Sequence, residues 1–339
     1  MHLLIIGSDA VSSIERYYAK YLRELGVNVN LFPIQRHFYA YYHESLLNRA
    51  LFRLQLSPIY ARLNRQVMDT IDVHPPDVVW VFKGMEVFPE TLAAIRARGI
   101  PLVNYNPDNP FLFSGRGSGN ANITRSIGLY DLHFTYNLSI EKRLRAEFRA
   151  RTAWLPFGFE VSADDYAACI VEPEVIKACF IGNPDRQRMA TLAELSQRGV
   201  DLVVHGHGWD KFVGGTRIAV GPPAYGMDQL KNLRGYRVQL NLLRPHNMDS
   251  HNMRTFEIPG IGGIMVAADT REHRQFFEAG SEAFFFKDAA AAVELIQVLL
   301  ALPRAEADQI RQRARRRSVD SRYSYRDRAE AAWRELNRL

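Results

Sequence analysis

The sequence predicts an α/β protein of two doubly wound domains, each built on a parallel sheet, and three observations carry that prediction. The chain has 339 residues, room for two domains of roughly 150 residues each. Strand-like and helix-like text alternate along it, as they do where helices cover both faces of a parallel sheet. A strand, a glycine turn and a helix closed by glycine open each half, first over residues 3–26 and again over residues 176–199.

Taken in order, Leu3–Ile6 reads as the first strand, Gly7-Ser8-Asp9 as its turn, residues 12–25 as a helix and Val27–Phe32 as the second strand. Ligands of open α/β sheets bind beyond the carboxyl ends of strands, so Asp9 faces the expected site. The turn lacks the full G-x-G-x-x-G pattern and is a weak dinucleotide signal. Residues 37–71 are helical text rich in tyrosine and arginine. A membrane-facing or acceptor-facing surface and a helix pair packed on the sheet both account for it, and the packed pair is the simpler account.

Pro75-Pro76 introduces a buried strand at residues 77–82, and a helix follows over residues 91–98. The next strand, 101–105, delivers Asn106, Asp108 and Asn109 to its carboxyl end. Those three are acceptor-side candidates; a turn that binds only its own backbone is the equal alternative. Gly115–Gly119 lacks the lysine of a phosphate loop and reads as an exposed loop or lid. His133, inside a strand at 129–136, reads as a core histidine. A helix over 139–149 and a strand at 152–155 close the first domain.

A loosely patterned acidic linker, residues 160–175, leads to a strand at 176–181, the turn Gly182-Asn183-Pro184 and a helix over 185–198. Arg186 and Arg188 fall in that helix's first turn, where the partial positive charge of the helix end disfavours cations. A bound diphosphate accounts for them by engaging free N–H groups and guanidinium forks together; a plain arginine surface is the alternative. The strand at 201–205 ends at His205 and Gly206, which read as a loop beside a nucleotide base, because His205 and His207 alone do not complete a metal site. The strand at 236–242 leads to Arg244, His246, Asn252 and Arg254, a concentration of polar and cationic groups that calls for an anionic neighbour. Asp249 and Glu257 bracket the approach to Gly260, Gly262 and Gly263, and glycines there let main chain come close to a ligand. Asp269 and Asp288 are expected helix caps, and Arg311, Arg313 and Arg315–Arg317 read as a solvated basic face.

A formal charge of +6 and a pI near 9.3 fit an anionic ligand or surface. Arginine is scattered, however, and no RNA or DNA module is present, so nucleic acid is not an expected partner. Cys169 and Cys179 have no second pair, which argues against a disulfide framework or zinc site and for a reducing cytoplasm. Residues 2–6 are too short for a signal-peptide core. No apolar run approaches the roughly 18 residues that span a bilayer.

The segment Glu257-Ile-Pro-Gly-Ile-Gly-Gly-Ile-Met-Val266 resembles the Glu-x-x-x-x-Gly-x-x-Val segment of retaining GT-B glycosyltransferases. The wider text, over about residues 176–330, resembles the CgeB-like, spore-protein branch of that group; the Asn106–Phe111 loop and Leu155-Pro-Phe-Gly158 share the likeness. The resemblance implies two Rossmann-like domains with parallel sheets facing across a cleft, residues 1–160 and 161–318. It also implies a carboxyl-terminal helix, within residues 319–339, that crosses back to the first domain.

The activity it implies is transfer of a sugar from a nucleotide-diphosphate sugar, with retention, no metal and no cofactor beyond that donor. Glu257 would bind the ribose. Asp249 stands where the group carries a first glutamate near the transferred sugar. The Gly182 turn and Arg186, Arg188 or Arg254 would hold the diphosphate, Asp249 and Arg254 are the catalytic candidates, and Asn183, His205, Gly206, His246, Asn252, Gly262 and Gly263 complete the donor side. A carbohydrate, lipid-linked or small-molecule acceptor would meet Asp9, Asn106, Asp108 and Asn109. The expected residence is cytoplasmic, with peripheral contact at the inner membrane face left open. A sugar-nucleotide epimerase of the same architecture and a non-catalytic sugar-nucleotide-binding protein are the alternatives.

Overall fold

The structure, a computed structural model, describes residues 1–113, 117–170, 173–247 and 249–339. It divides into two compact units, residues 1–156 with 325–339, and residues 157–324. Gly115 and Arg116, part of the exposed loop expected from sequence, lie outside the described residues, as does the side chain of His246.

In the first unit six strands form one parallel sheet: β1 (His2–Ile6), β2 (Asn28–Phe32), β3 (Val78–Phe82), β4 (Leu102–Tyr105), β5 (Leu132–Thr135) and β6 (Thr152–Trp154). Their order is β2-β1-β3-β4-β5-β6. The chain starts inside the sheet, moves out to β2, then returns to the other side of β1, so the order reverses between β1 and β3. Leu3–Ile6 and all of β3 are buried, as expected of strands covered on both faces.

The second unit repeats the plan with β7 (Val175–Ile181), β8 (Leu202–His205), β9 (Ala219–Gly221), β10 (Tyr236–Asn241), β11 (Met265–Ala268) and β12 (Phe284–Phe286). Here the order is β12-β11-β10-β7-β8-β9, the 3-2-1-4-5-6 arrangement of dinucleotide-binding sheets, with its reversal between β7 and β10. Each sheet has its own core: Leu4, Ile6, Val79 and Val81 in the first, Phe180, Val204, Leu240 and Val266 in the second.

The helix over Tyr325–Leu336 belongs to the first unit, as the resemblance implied. Tyr325 stacks on Tyr17 with ring centroids 4.8 Å apart, and Arg326 pairs with Glu24 at 2.5 Å.

Several local readings need correction. The helical text of residues 37–71 is three helices, Ile34–Glu44, Leu46–Arg53 and Ile59–Val73. Ser45 breaks it: its backbone is extended, and its Oγ accepts the Asn48 N–H at 3.0 Å, capping the next helix. The linker holds a helix, Ala163–Ile170. Asp288 does cap its helix, accepting from Ala291 N. Thr270, not Asp269, caps Arg271–Phe276; Asp269 binds Arg274 instead.

The late arginine run is a solvated face only in part: Arg313 and Arg316 are exposed, while Arg311 and Arg315 turn inward. Arg311 is 2% exposed and donates to Glu174, which also takes a two-pronged bond from Arg237 at 2.6 and 2.7 Å. Arg315 donates to the Gly260 carbonyl and lies over the Tyr166 ring. Desolvation, the largest influence on Glu174, raises its pKa, but the hydrogen bonds and charges of Arg237 and Arg311 outweigh it and hold the carboxyl below its usual range.

Candidate functional site

The reversal between β7 and β10 opens a crevice beyond the strand ends, where an open α/β sheet takes its ligand. Ile181 leads into Gly182 on one side and Asn241 into Leu242 on the other. Gly182 is held by main chain and ring together: its N–H donates to His205 O at 2.9 Å, and its carbonyl accepts from Trp209 Nε1 at 2.8 Å. A side chain at Gly206 would place its Cβ 2.3 Å from the Gly182 oxygen, so glycine is required there by close approach.

Arg188 fills the base of this crevice. Its guanidinium donates to Leu242 O at 3.3 and 3.0 Å and to Asn183 O at 3.1 Å, tying the two walls together. Asp185 caps the helix by accepting from Arg188 N at 2.9 Å. The unusual first-turn arginine therefore has a structural explanation, since its guanidinium binds two carbonyls and lies 3.4 Å from the Asp185 carboxylate. Burial first, and then the nearby charges of Arg244 and Arg254, push its pKa down to about 10 against the opposing pull of Asp185. Arg186 and Arg244 are exposed, and among the described residues their side chains make no hydrogen bond or ion pair.

Arg254 begins the helix Arg254–Gly260. Its Nε donates to Ile181 O at 3.2 Å, one η nitrogen to Gln229 at 3.3 Å and the other to Glu257. Glu257 is largely buried, with its side chain 12% exposed. The helix stands on a buried polar pedestal. Asn252 accepts from Thr255 N at 3.2 Å and donates to Asn241 Oδ1 at 2.8 Å. Asn241 donates to Thr255 Oγ1 at 3.0 Å. His273 Nδ1 donates to the Ala268 carbonyl, so its Nε2 accepts from the Thr255 hydroxyl. Burial is the main reason that His273 drops to about 4 and stays neutral. Beside it, Glu272 accepts from both Ser250 Oγ and His251 Nδ1 at 2.6 Å.

Other donor-side candidates fall differently. Asp249 is exposed and makes no hydrogen bond or ion pair among the described residues. His205 is a core histidine, its Nδ1 donating to Pro222 O at 2.8 Å and its Nε2 accepting from Tyr236 OH at 3.3 Å. Asn183 Oδ1 accepts from His207 N at 3.2 Å, which shapes the loop. Gly262 and Gly263 are buried, and what approaches them is protein: a Cβ at Gly263 would lie 2.6 Å from Leu233 O. Gly262, at φ +76°, makes the left-handed turn into β11.

In the first unit the acceptor-side candidates are engaged locally. Asp9 pairs with Arg36 at 2.9 Å and Asp108 with Lys83 at 2.7 Å. Asn106 accepts from Asp108 N, and Asn109 from Phe111 N, as self-binding turns do. Asn106 also keeps a buried amide nitrogen without a partner among the described residues.

The reversal between β1 and β3 holds residues that sequence reasoning missed. Glu15 is buried beneath Gly7, its Oε1 accepting from Ser8 N at 2.9 Å. Burial raises it to about 7; the charge of Glu86 adds to the shift, while the Ser8 bond and Lys83 oppose it. Glu86, also buried, is raised chiefly by desolvation. Lys83 has φ +60°, in the left-handed region that non-glycine residues seldom hold, and its Nζ donates to Asp108 and to Gly117 O. A strand that ends in Lys83-Gly84 was the one available signal.

Among the described residues no group of three His, Cys, Asp or Glu could hold a metal ion. No described helix is long and apolar enough to cross a membrane.

Residues 186–333 match a family described as glycosyl transferase-like. No curated protein matches the sequence. Sucrose-phosphate synthase from Thermosynechococcus elongatus has a similar structure, at TM-score 0.69 and 13% identity over 100% of this chain and 99% of that one. Anabaena HepE, solved with UDP-glucose, gives TM-score 0.65 and 14% identity over 100% of both chains. A Listeria monocytogenes protein described as a UDP-N-acetylglucosamine 2-epimerase gives 0.58 and 14% over 97% of this chain and 94% of that one. With these likenesses and its two six-stranded parallel sheets, the chain has the GT-B fold of two Rossmann-like domains.

Proposed function

We propose that this chain is a glycosyltransferase that takes a sugar from a nucleoside-diphosphate donor bound at the β7/β10 crevice. The observation that carries the reading is the guanidinium groups gathered at the strand-order reversal: Arg254 is bonded to Ile181 O, Arg188 to Leu242 O, and Arg186 and Arg244 are exposed with no ion pair among the described residues. Such a cluster is stable when an anion sits among the charges. The glycosyl transferase-like match, residues 186–333, takes in Arg186, Arg188, Arg244, Arg254 and Glu257, and a structural neighbour is solved with UDP-glucose.

In this reading Arg244 and Arg186, the free cations, take the diphosphate with Arg254, while Arg188 holds the crevice walls. Glu257, fixed by Arg254, receives the ribose hydroxyls, and Asp249 lies toward the transferred sugar. As the bond from the anomeric carbon to the diphosphate breaks, negative charge collects on the leaving oxygen. Prearranged guanidinium groups favour that state over the ground state and lower the barrier. The bond re-forms to an acceptor oxygen, whose proton passes to the departing diphosphate, and the configuration is retained. These cations do the work a metal would otherwise do.

The acceptor, a carbohydrate, lipid-linked or small-molecule alcohol, belongs to the first unit, where Glu15 near neutrality offers a carboxyl that both donates and accepts. The wider text of residues 176–330 supports a place in the CgeB-like branch, and two buried cysteines in no disulfide among the described residues support a cytoplasmic residence. An epimerase is the second reading, because the Listeria protein shares the fold; it would convert a donor with no acceptor present. A silent binding protein would hold the nucleotide without turnover.

The test is a thermal-shift panel of nucleoside diphosphates followed by assay of nucleoside-diphosphate release from the matching sugar nucleotide. A native-state ligand raises the melting temperature. No shift with any of them, or a shift that survives Arg244→Ala with Arg254→Ala, overturns the proposal.

A further inference from the structure

The helix Leu46–Arg53 has no buried residue. It is anchored from one side by Phe52, whose ring lies 4.9 Å from Phe38 and 5.6 Å from Tyr60. Its outward stripe is apolar: Leu46 is 75% exposed, Leu47 65% and Leu54 67%, and Leu56 beyond the helix is 69% exposed. An ordinary surface helix turns its apolar stripe inward, and exposed apolar clusters of this kind mark contact with something else.

The surroundings are basic. Residues 34–68 carry Arg36, Arg49, Arg53, Arg62 and Arg65 against one acid, Glu44. Arg36 pairs with Asp9, but Arg53, Arg62 and Arg65 are exposed and form no ion pair among the described residues. A symmetric contact with a second copy would set this positive face against itself. Nucleic acid would use the arginines and leave the leucines in water. A layer with negative charge outside and hydrocarbon beneath uses both.

We infer that the Leu46–Leu56 segment, with Arg53, Arg62 and Arg65, docks the first unit on an anionic lipid bilayer. The leucines enter the boundary between headgroups and acyl chains, and the guanidinium groups meet lipid phosphates. The site is independent of the donor crevice, so its failure leaves the transferase reading intact.

The test is flotation of the full chain with vesicles of phosphatidylcholine alone and of phosphatidylcholine mixed with phosphatidylglycerol. Binding should be at least about tenfold stronger to the anionic vesicles and weaken as salt rises. Leu47→Asp with Leu54→Asp, and separately Arg53→Glu with Arg65→Glu, should each reduce it about tenfold or more. All four positions are exposed, so melting temperatures should not change. Equal binding to neutral vesicles, no binding to either, or a dimer in solution that Leu47→Asp dissolves would each overturn the inference.

Discussion

Where strand order reverses, the second sheet gathers Arg188 and Arg254, with Arg244 close by, whereas the first buries two carboxyls, Glu15 and Glu86, near Lys83. The backbone plan is shared, and the charges are opposed. In one crevice burial pushes a guanidinium down to about 10; in the other it pushes a carboxyl up to about 7. Topology marks where each sheet can take a ligand, and side-chain charge separates the two places; under the proposed function the donor's diphosphate goes to β7/β10 and the acceptor to the first unit.

The most damaging change to this contrast should be Arg254→Ala. It removes a cation aimed at the leaving group and strips Glu257 of its partner, so turnover should fall about a hundredfold or more. Steady-state release of nucleoside diphosphate measures it, and wild-type turnover would break the assignment of the crevice.

Next comes Arg188→Ala, whose effect should appear in stability. Two carbonyls, Leu242 O and Asn183 O, lose their donor, at a cost of about 3 kcal/mol. A denaturant midpoint that does not move would show that Arg188 is not the crevice's tie.

Glu15→Gln sharpens the other side. The native carboxyl keeps its proton up to about pH 7, while the unfolded chain loses it near pH 4.5. Stability must then decline as pH rises through that window, by up to about 3 kcal/mol, and stay low above it. Gln cannot titrate, so the variant should gain on the wild type as pH rises from 4.5 to 7. Parallel stability curves would mean that Glu15 is not held protonated.

The smallest effect should come from Arg244→Ala, which weakens nucleoside-diphosphate binding about tenfold and leaves the melting temperature unchanged. Calorimetric titration decides it, and an unaltered dissociation constant would remove Arg244 from the donor side.

Much of this was legible along the chain because it is local. Gly7 and Gly182 end strands, Gly26 and Gly199 stop helices, and Asp288 caps one; each acts within a few residues of itself. Arg188 stood out in a helix's first turn, but the reason, its bond to Leu242 O, lies far along the chain. Pairings of that reach leave no pattern in the text. Glu174 meets Arg237 and Arg311, so a run that reads as a wet basic face is partly interior. Glu15 reads as an ordinary first-turn acid, and only its burial beneath Gly7 distinguishes it.

The helix Tyr325–Leu336 packs on the helix Ile14–Glu24 of the first unit, with the whole of residues 157–324 lying between them in the chain. On the ribosome, the half translated first must wait for the half translated second before its last piece arrives. Residues 157–324 form a continuous stretch and can close as soon as they emerge, so the order of synthesis and the order of completion are reversed.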